Sequence, residues 1–390
     1  MITGSWNYPT PIRFGPGRIA ELGDACKELG MSAPLLLTDR GLLPLPITQR
    51  ALDVLEGSGL RPILFGDVGG NPAGADVERG LAALRGGGCD GVVAFGGGSA
   101  LDVGKAVALM AGQTRPLWDF EDVGDNHLRV DEEGMLPVVA VPTTSGTGSE
   151  VGRCSVIVNP DDRSAPGGRK IIVFHAKMLP GRVIADPELT VGLPPKITAA
   201  VGMDALAHNL EAYCAPGHHP MADGIAVEGI RLVAKSLHPA VYDGADVEAR
   251  ADMLIASTMG ATAFQKGLGA IHSLSHPVGV ALHAHHGLTN AVFMPYVLVH
   301  NRSAIEDRIT RLAAYLRLAD TSFDGFLKWV LDLREGIGIP HTSAALGFEE
   351  HHAAELAPAA AADPTAPTNP IPVTAADLEE LYRKALAGEL

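Results

Sequence analysis

The chain has 390 residues, roughly two to three times the usual domain length, so two domains are expected and no disulfide staple is needed to hold a core. Hydrophobic residues make up 46% and charged residues 19%, which excludes wholesale disorder. With 30 Lys and Arg against 45 Asp and Glu the formal net charge is −15, a surface that repels phosphate backbones and argues against nucleic-acid binding.

The opening MITGSWNYPTPIRFGPGRIAELG lacks a basic start followed by an apolar core, so no secretory signal is expected. The runs APLLLTD (33–39), RPILFGDV (61–68), GVVAFGGGS (91–99) and LPVVAVPTTSG (136–146) read as buried strands closed by glycine or a polar turn. Between and around them, RIAELGDACKELG (18–30), ADVERGLAALRGG (75–87) and SALDVGKAVALMAG (99–112) carry apolar residues at helical spacing. Strand and helix in alternation predict a mostly parallel sheet with helices on both faces, and ligands then bind at the carboxyl ends of the strands. After IADPELTVGLPP (184–195) the pattern becomes consecutive helices up to about 336, with Leu-Pro-Pro at 193–195 read as a hinge. Residues 353–372, rich in alanine and proline, read as a surface excursion before a last helix at 374–388. The cysteines Cys26, Cys89, Cys154 and Cys214 are far apart and read as free thiols of a reducing compartment. No apolar run reaches the ~18 residues a membrane span needs, so a cytoplasmic protein is expected.

Two turns stand at strand exits. GGGSALDVGK (96–105) follows a strand and opens a helix, where backbone amides and the helix dipole can hold a pyrophosphate. It is neither a P-loop, since Ser99 and Ala106 replace the required glycine and hydroxyl residue, nor GxGxxG, since Leu101 replaces the third glycine. PTTSGTGSEV (142–151) gathers small hydroxyl donors at the next exit. Asp39 ends the first strand. There a carboxylate can accept from both hydroxyls of an adenosine ribose and repel a 2′-phosphate, or it can simply cap the following turn.

Of fifteen histidines, five fall in IHSLSHPVGVALHAHHG (271–287). Asp204 and His208, and likewise His272 and His276, are spaced i, i+4, which places each pair on one face of a helix; Pro277 is expected to end or kink the second helix. Imidazoles with a carboxylate suit Fe(II) or Zn(II). Spacing does not choose among His283, His285 and His286, and His218, His219, His351 and His352 read as surface residues.

Taken in order, GGGSALDVGKA, PTTSGTGSEV, MDALAHNLEAY and HSLSHPVG…HHGLTNAVFMP resemble the iron-containing (group III) alcohol dehydrogenase family, and the likeness runs from FGPGRI (14–19) and GGNP (69–72) to IADPEL (184–189) and NPIPVTAADLEELYRKA (369–385). The resemblance implies an α/β dinucleotide-binding domain with a parallel sheet (1–192) and an all-helical metal-binding and catalytic domain (193–390), the architecture shared with dehydroquinate synthase. It implies Asp204, His208, His272 and His286 as ligands of Fe(II), with Zn(II) the alternative, and His276 as a histidine beside metal and nicotinamide that relays a proton. It places Asp39, Gly97, Gly98, Ser99, Asp102, Thr143, Thr144, Ser149 and Lys170 at NAD. Asp39 equivalents go with NAD, and glycine there with NADP. The implied reaction is reversible hydride transfer between a primary alcohol and NAD, giving an aldehyde. The apolar start SWNYPTPIRF adds the expectation of a homodimer. Two rivals are a cyclase resembling dehydroquinate synthase, which would consume no net NAD, and a non-catalytic metal- or nucleotide-binding protein.

Overall fold

A computed structural model describes residues 10–390, so the first half of SWNYPTPIRF, residues 5–9, lies outside the described residues. Among the described residues eight strands form: β1 (Ile12–Phe14), β2 (Pro34–Leu37), β3 (Ile63–Phe65), β4 (Gly91–Gly96), β5 (Val138–Pro142), β6 (Cys154–Asn159), β7 (Arg169–Phe174) and β8 (Arg182–Ala185). Six of them make one parallel sheet in the order β1-β8-β5-β4-β2-β3, while β6 and β7 pair as an antiparallel hairpin. The central strands are apolar throughout because both faces are covered. Leu35, Leu37, Val92, Ala94 and Val138 pack towards α3 (Gly74–Gly86) and α4 (Gly98–Met110). The alternate residues Leu36, Val93, Phe95, Val139 and Val141 pack towards α1 (Leu22–Glu28) and α2 (Pro46–Gly57). Each large side chain buried this way contributes about 1.5–3 kcal/mol.

β2 lies between β3 and β4, so the strand order reverses at β2 and opens a crevice at the carboxyl ends of β2 and β4. Two distant motifs form one joint at the other side of the sheet: Asp186 of IADPEL accepts from the backbone amides of Gly17 (3.2 Å) and Ile19 (3.0 Å) in GPGRI. That pairing is structural.

The second half is helical: α5 (Pro195–Cys214), α6 (Pro220–Tyr242), α7 (Val247–Ala263), α8 (Ala270–Ala281), α9 (His286–Tyr315), α10 (Phe323–Gly336), α11 (Glu350–Ala361) and α12 (Ala375–Ala387). From Thr198 to Cys214, α5 is buried all round, as befits the central helix of a bundle. The Leu193–Pro195 junction is braced by the buried Arg250, which donates to the carbonyls of Leu193 (3.2 Å) and Gly244 (3.1 Å) and to the Thr198 hydroxyl (2.8 Å).

Several expectations need correction. Residues 353–372 are no surface excursion: α11 buries Ala353, Leu356, Ala357 and Ala360. His219 is buried and caps α6, accepting from the Ala222 amide at 3.2 Å. Pro277 does not end its helix, since α8 continues to Ala281. As expected from their spacing, the four cysteines are free thiols. No helix among the described residues is long and apolar enough to cross a membrane.

Candidate active site

At the crevice, Gly97 caps α4 and Gly98 begins it. A Cβ on Gly98 would lie 2.6 Å from Cγ2 of Thr147, so only glycine lets this turn approach the one that follows β5. Thr144 borders Gly97 in the same way, the Thr143 amide donates to the Gly96 carbonyl (3.0 Å), and the buried Thr143 hydroxyl has no partner among the described residues. Ser99 donates to the carbonyl of Gly70 (2.8 Å). Asp39 caps its turn, accepting from the amides of Gly41 (2.8 Å) and Leu42 (3.0 Å) through Oδ1, while Oδ2 faces Gly96. Capping and ribose binding are therefore compatible, one oxygen serving each. Asp102 and Ser149 are engaged with each other (2.5 Å), and Asp102 also accepts from the Val156 amide (2.9 Å), so this pair holds the turn in place. Lys170, half-buried on β7, has its ammonium beside Gly279 of α8; burial lowers its pKa, opposed by Asp363, Asp204 and Asp102.

The helical domain meets this crevice directly. Asn71 of GGNP donates to the Gly279 carbonyl (2.9 Å), and His208 Nδ1 donates to the carbonyl of Gly146 (3.2 Å) in the turn after β5. Asp204 and His208 on α5, His272 on α8 and His286 at the start of α9 bring one ligand atom each to within 4.8 Å of one another. His286 reaches the cluster because Gly287 lets α9 touch α5: a Cβ there would sit 2.3 Å from the Ala200 carbonyl oxygen. His283 and His285 are exposed and outside the cluster.

Three imidazoles and a carboxylate fit a divalent transition metal, and the electrostatics keep them fit for it. Burial pushes His208 down to about 4 and His286 well below its ordinary value, helped for His286 by the Lys170 charge, so both rings stay neutral with a lone pair to give. For His272 burial works the same way but is outweighed by Glu211, whose Oε2 lies 2.5 Å from Nδ1; its pKa is raised.

His276 is not part of the cluster but stacks on the His286 ring (centroids 5.3 Å apart) and meets His272 edge-on (5.9 Å). Its Nδ1 is 2.7 Å from Asp363 Oδ2. Three residues were not singled out in the sequence. Glu211 had a signal, lying in MDALAHNLEAY on the same face as Asp204 and His208. Asn290, four residues after His286, donates to Asp204 (2.7 Å) and lies 3.1 and 3.2 Å from Nε2 of His272 and His286. Asp363 had no signal beyond an alanine-proline run.

Two family models cover the chain: iron-containing alcohol dehydrogenase over residues 9–187, and the C-terminal region of the Fe-containing alcohol dehydrogenase family over 198–386. The chain belongs to the iron-containing alcohol dehydrogenase family. Within that family it is 38% identical to a 4-hydroxybutyrate dehydrogenase of Cupriavidus necator, over 97% of this chain and 99% of the relative. It is 33% identical to an NAD-dependent methanol dehydrogenase of Bacillus methanolicus, covering 97% and 98%. A crystal structure of 1,3-propanediol oxidoreductase superposes with a TM-score of 0.92 at 32% identity, covering 98% of this chain and all of that one. As a member of the iron-containing alcohol dehydrogenase family, the chain is a metal-binding, NAD-linked oxidoreductase that interconverts an alcohol and an aldehyde. The comparisons do not favour the cyclase or the non-catalytic reading.

Proposed function

We propose that this enzyme oxidises a primary alcohol, reversibly, with NAD at the β2/β4 crevice and one Fe(II) ion on Asp204, His208, His272 and His286. Zn(II) is the alternative ion, since the affinity series alone does not separate them. The observation that carries this reading is the convergence of those four ligand atoms within 4.8 Å, beside His276. When bound, the metal supplies a Lewis acid for the substrate oxygen and NAD takes the hydride. The chain's own part is to hold the two together and to move the proton. Gly97, Gly98, Ser99, Thr143 and Thr144 seat the pyrophosphate and its neighbours. Asp39 takes the adenosine ribose, and Asp102 and Ser149 keep the turn rigid. Lys170 lies along the nicotinamide side, and His276 accepts the alcohol proton. A cytoplasmic homodimer completes the reading, supported by four free, widely separated cysteines and by the apolar opening segment.

The relatives act on a hydroxy acid, methanol and a diol, which sets the test panel. Protein stripped of metal should form no NADH with 4-hydroxybutyrate, methanol or 1,3-propanediol. Reloading with Fe(II) under anaerobic conditions, or with Zn(II), should restore NADH with at least one of them. Failure to bind either metal would sink the ligand assignment.

Asp39→Asn separates the two roles of that side chain. The amide oxygen still accepts from Gly41 and Leu42, so the turn stays capped, but the charge facing a 2′-phosphate is gone. Like-charge juxtaposition costs several kcal/mol, so kcat/KM for NADP should rise about 10–100-fold relative to NAD. An unchanged cofactor ratio would reduce Asp39 to a cap.

A further inference from the structure

We propose that Asp363 is the positioning residue of the reaction, fixing His276 as the tautomer whose Nε2 takes the substrate proton. This rests on the function proposed above. The geometry has three parts. Asp363 Oδ2 lies 2.7 Å from His276 Nδ1, and the other oxygen, Oδ1, accepts from the Thr365 amide (2.9 Å) and hydroxyl (2.6 Å). Both oxygens are thus occupied, and the carboxylate is buried, at 9% exposure. Nε2 of His276 makes no hydrogen bond within the described residues, and the ring lies against the rings of His272 and His286. The ring is therefore held by one nitrogen and open at the other, and it stands beside the metal cluster.

The segment that carries Asp363 is built onto the helix it serves. Thr368 donates to the Leu268 carbonyl (2.8 Å) just before α8, and Asn369 accepts from the Ala270 amide (3.0 Å) at its first residue. Asn369 and Asn301 of α9 exchange hydrogen bonds of 2.8 and 2.9 Å. These bonds tie Asp363 to the same helix start that sets His272 and His276. A loop that merely returned the chain to α12 would need none of them.

The chemistry requires such a hold. In alcohol oxidation the O–H bond breaks and its proton goes to His276 Nε2. The C–H bond breaks with its electron pair, which passes as hydride to NAD, and the C=O double bond forms; the alcohol is oxidised and NAD reduced. His276 then releases its proton to solvent. Nε2 can accept only if the resting proton is on Nδ1. A carboxylate at 2.7 Å enforces that tautomer, and it faces the imidazolium when the proton arrives.

Asp363→Asn tests this. Its amide oxygen still accepts from Thr365, so the turn is kept, but the amide nitrogen donates to Nδ1 and imposes the wrong tautomer. With metal content and Tm unchanged, kcat should fall at least about 100-fold while KM for alcohol and NAD stays within about threefold. In a His276→Ala background the same change should cost less than about twofold further. The tautomer is read independently by ¹⁵N-histidine NMR of the Zn(II)-loaded protein, the His276 signal being assigned by its loss in His276→Ala. The proton should sit on Nδ1 in the parent and on Nε2 in Asp363→Asn. A parent that turns over no alcohol overturns the functional reading. An active parent whose Asp363→Asn form keeps its kcat, or loses as much without His276, overturns the positioning role alone.

Discussion

Replacing His272 with alanine should abolish metal retention and lower turnover at least ~10³-fold, the loss expected when a Lewis acid worth several kcal/mol leaves the site. The more instructive variant is Glu211→Gln. Glu211 touches no ligand atom directed at the metal; it accepts from the Ile271 amide (2.7 Å) and sits 2.5 Å from the far nitrogen of His272. A carboxylate on that nitrogen orients the ring and makes the other nitrogen a better donor, and losing such a partner typically costs about 10–100-fold in metal affinity. The pH dependence has a definite sign. Burial lowers the His272 pKa but Glu211 more than compensates, so His272 is protonated from a higher pH in the parent than it would be beside glutamine. Proton competition therefore weakens metal binding in the parent first as pH falls, and the affinity deficit of Glu211→Gln should be widest in alkaline solution and narrow in acid. Competition with a chromogenic chelator across pH measures this. Equal affinities at high pH would show that the Glu211 carboxylate does nothing for the metal.

How much of this was legible in the sequence depends on whether neighbours in space were also neighbours in the chain. Asp204 with His208, and His272 with His276, announce themselves by i, i+4 spacing, and the exits after β4 and β5 by glycine and hydroxyl runs. The hairpin β6–β7 escaped because a Gly/Pro-rich stretch at 160–168 separates its two strands. The edge strand β1 has only three residues, too few for a period. The helix α11 escaped for a different reason: alanine is both the best helix former and the residue of low-complexity linkers, and only its burial distinguishes the two. That error hid Asp363, which is 87 residues from His276 along the chain and 2.7 Å from it in space.

Lys105→Met should destabilise the fold by about 3–5 kcal/mol, the usual result of removing one partner of a buried ion pair, with a fall in Tm of roughly 5 °C or more. Its position after Gly104 at the end of GGGSALDVGK suggests a phosphate ligand, but the side chain turns inward. At 1% exposure it donates to the carbonyls of Ser149 (3.0 Å) and Cys154, and its ammonium is 3.2 Å from Asp102. It thus joins α4 to the turn after β5 and to the first residue of β6. Methionine fills much the same volume and removes the charge. Two carbonyls then lose their donor, and Asp102 is left with only Ser149 and the Val156 amide. The turn that carries Thr143 and Thr144 loosens as a consequence, so NAD binding should weaken in step with stability. The two effects are separated by adding a stabilising osmolyte at constant NAD: recovery of both Tm and NAD affinity marks a structural lysine. A variant with unchanged melting and a raised KM for NAD would instead place Lys105 at the cofactor and overturn this account of the turn.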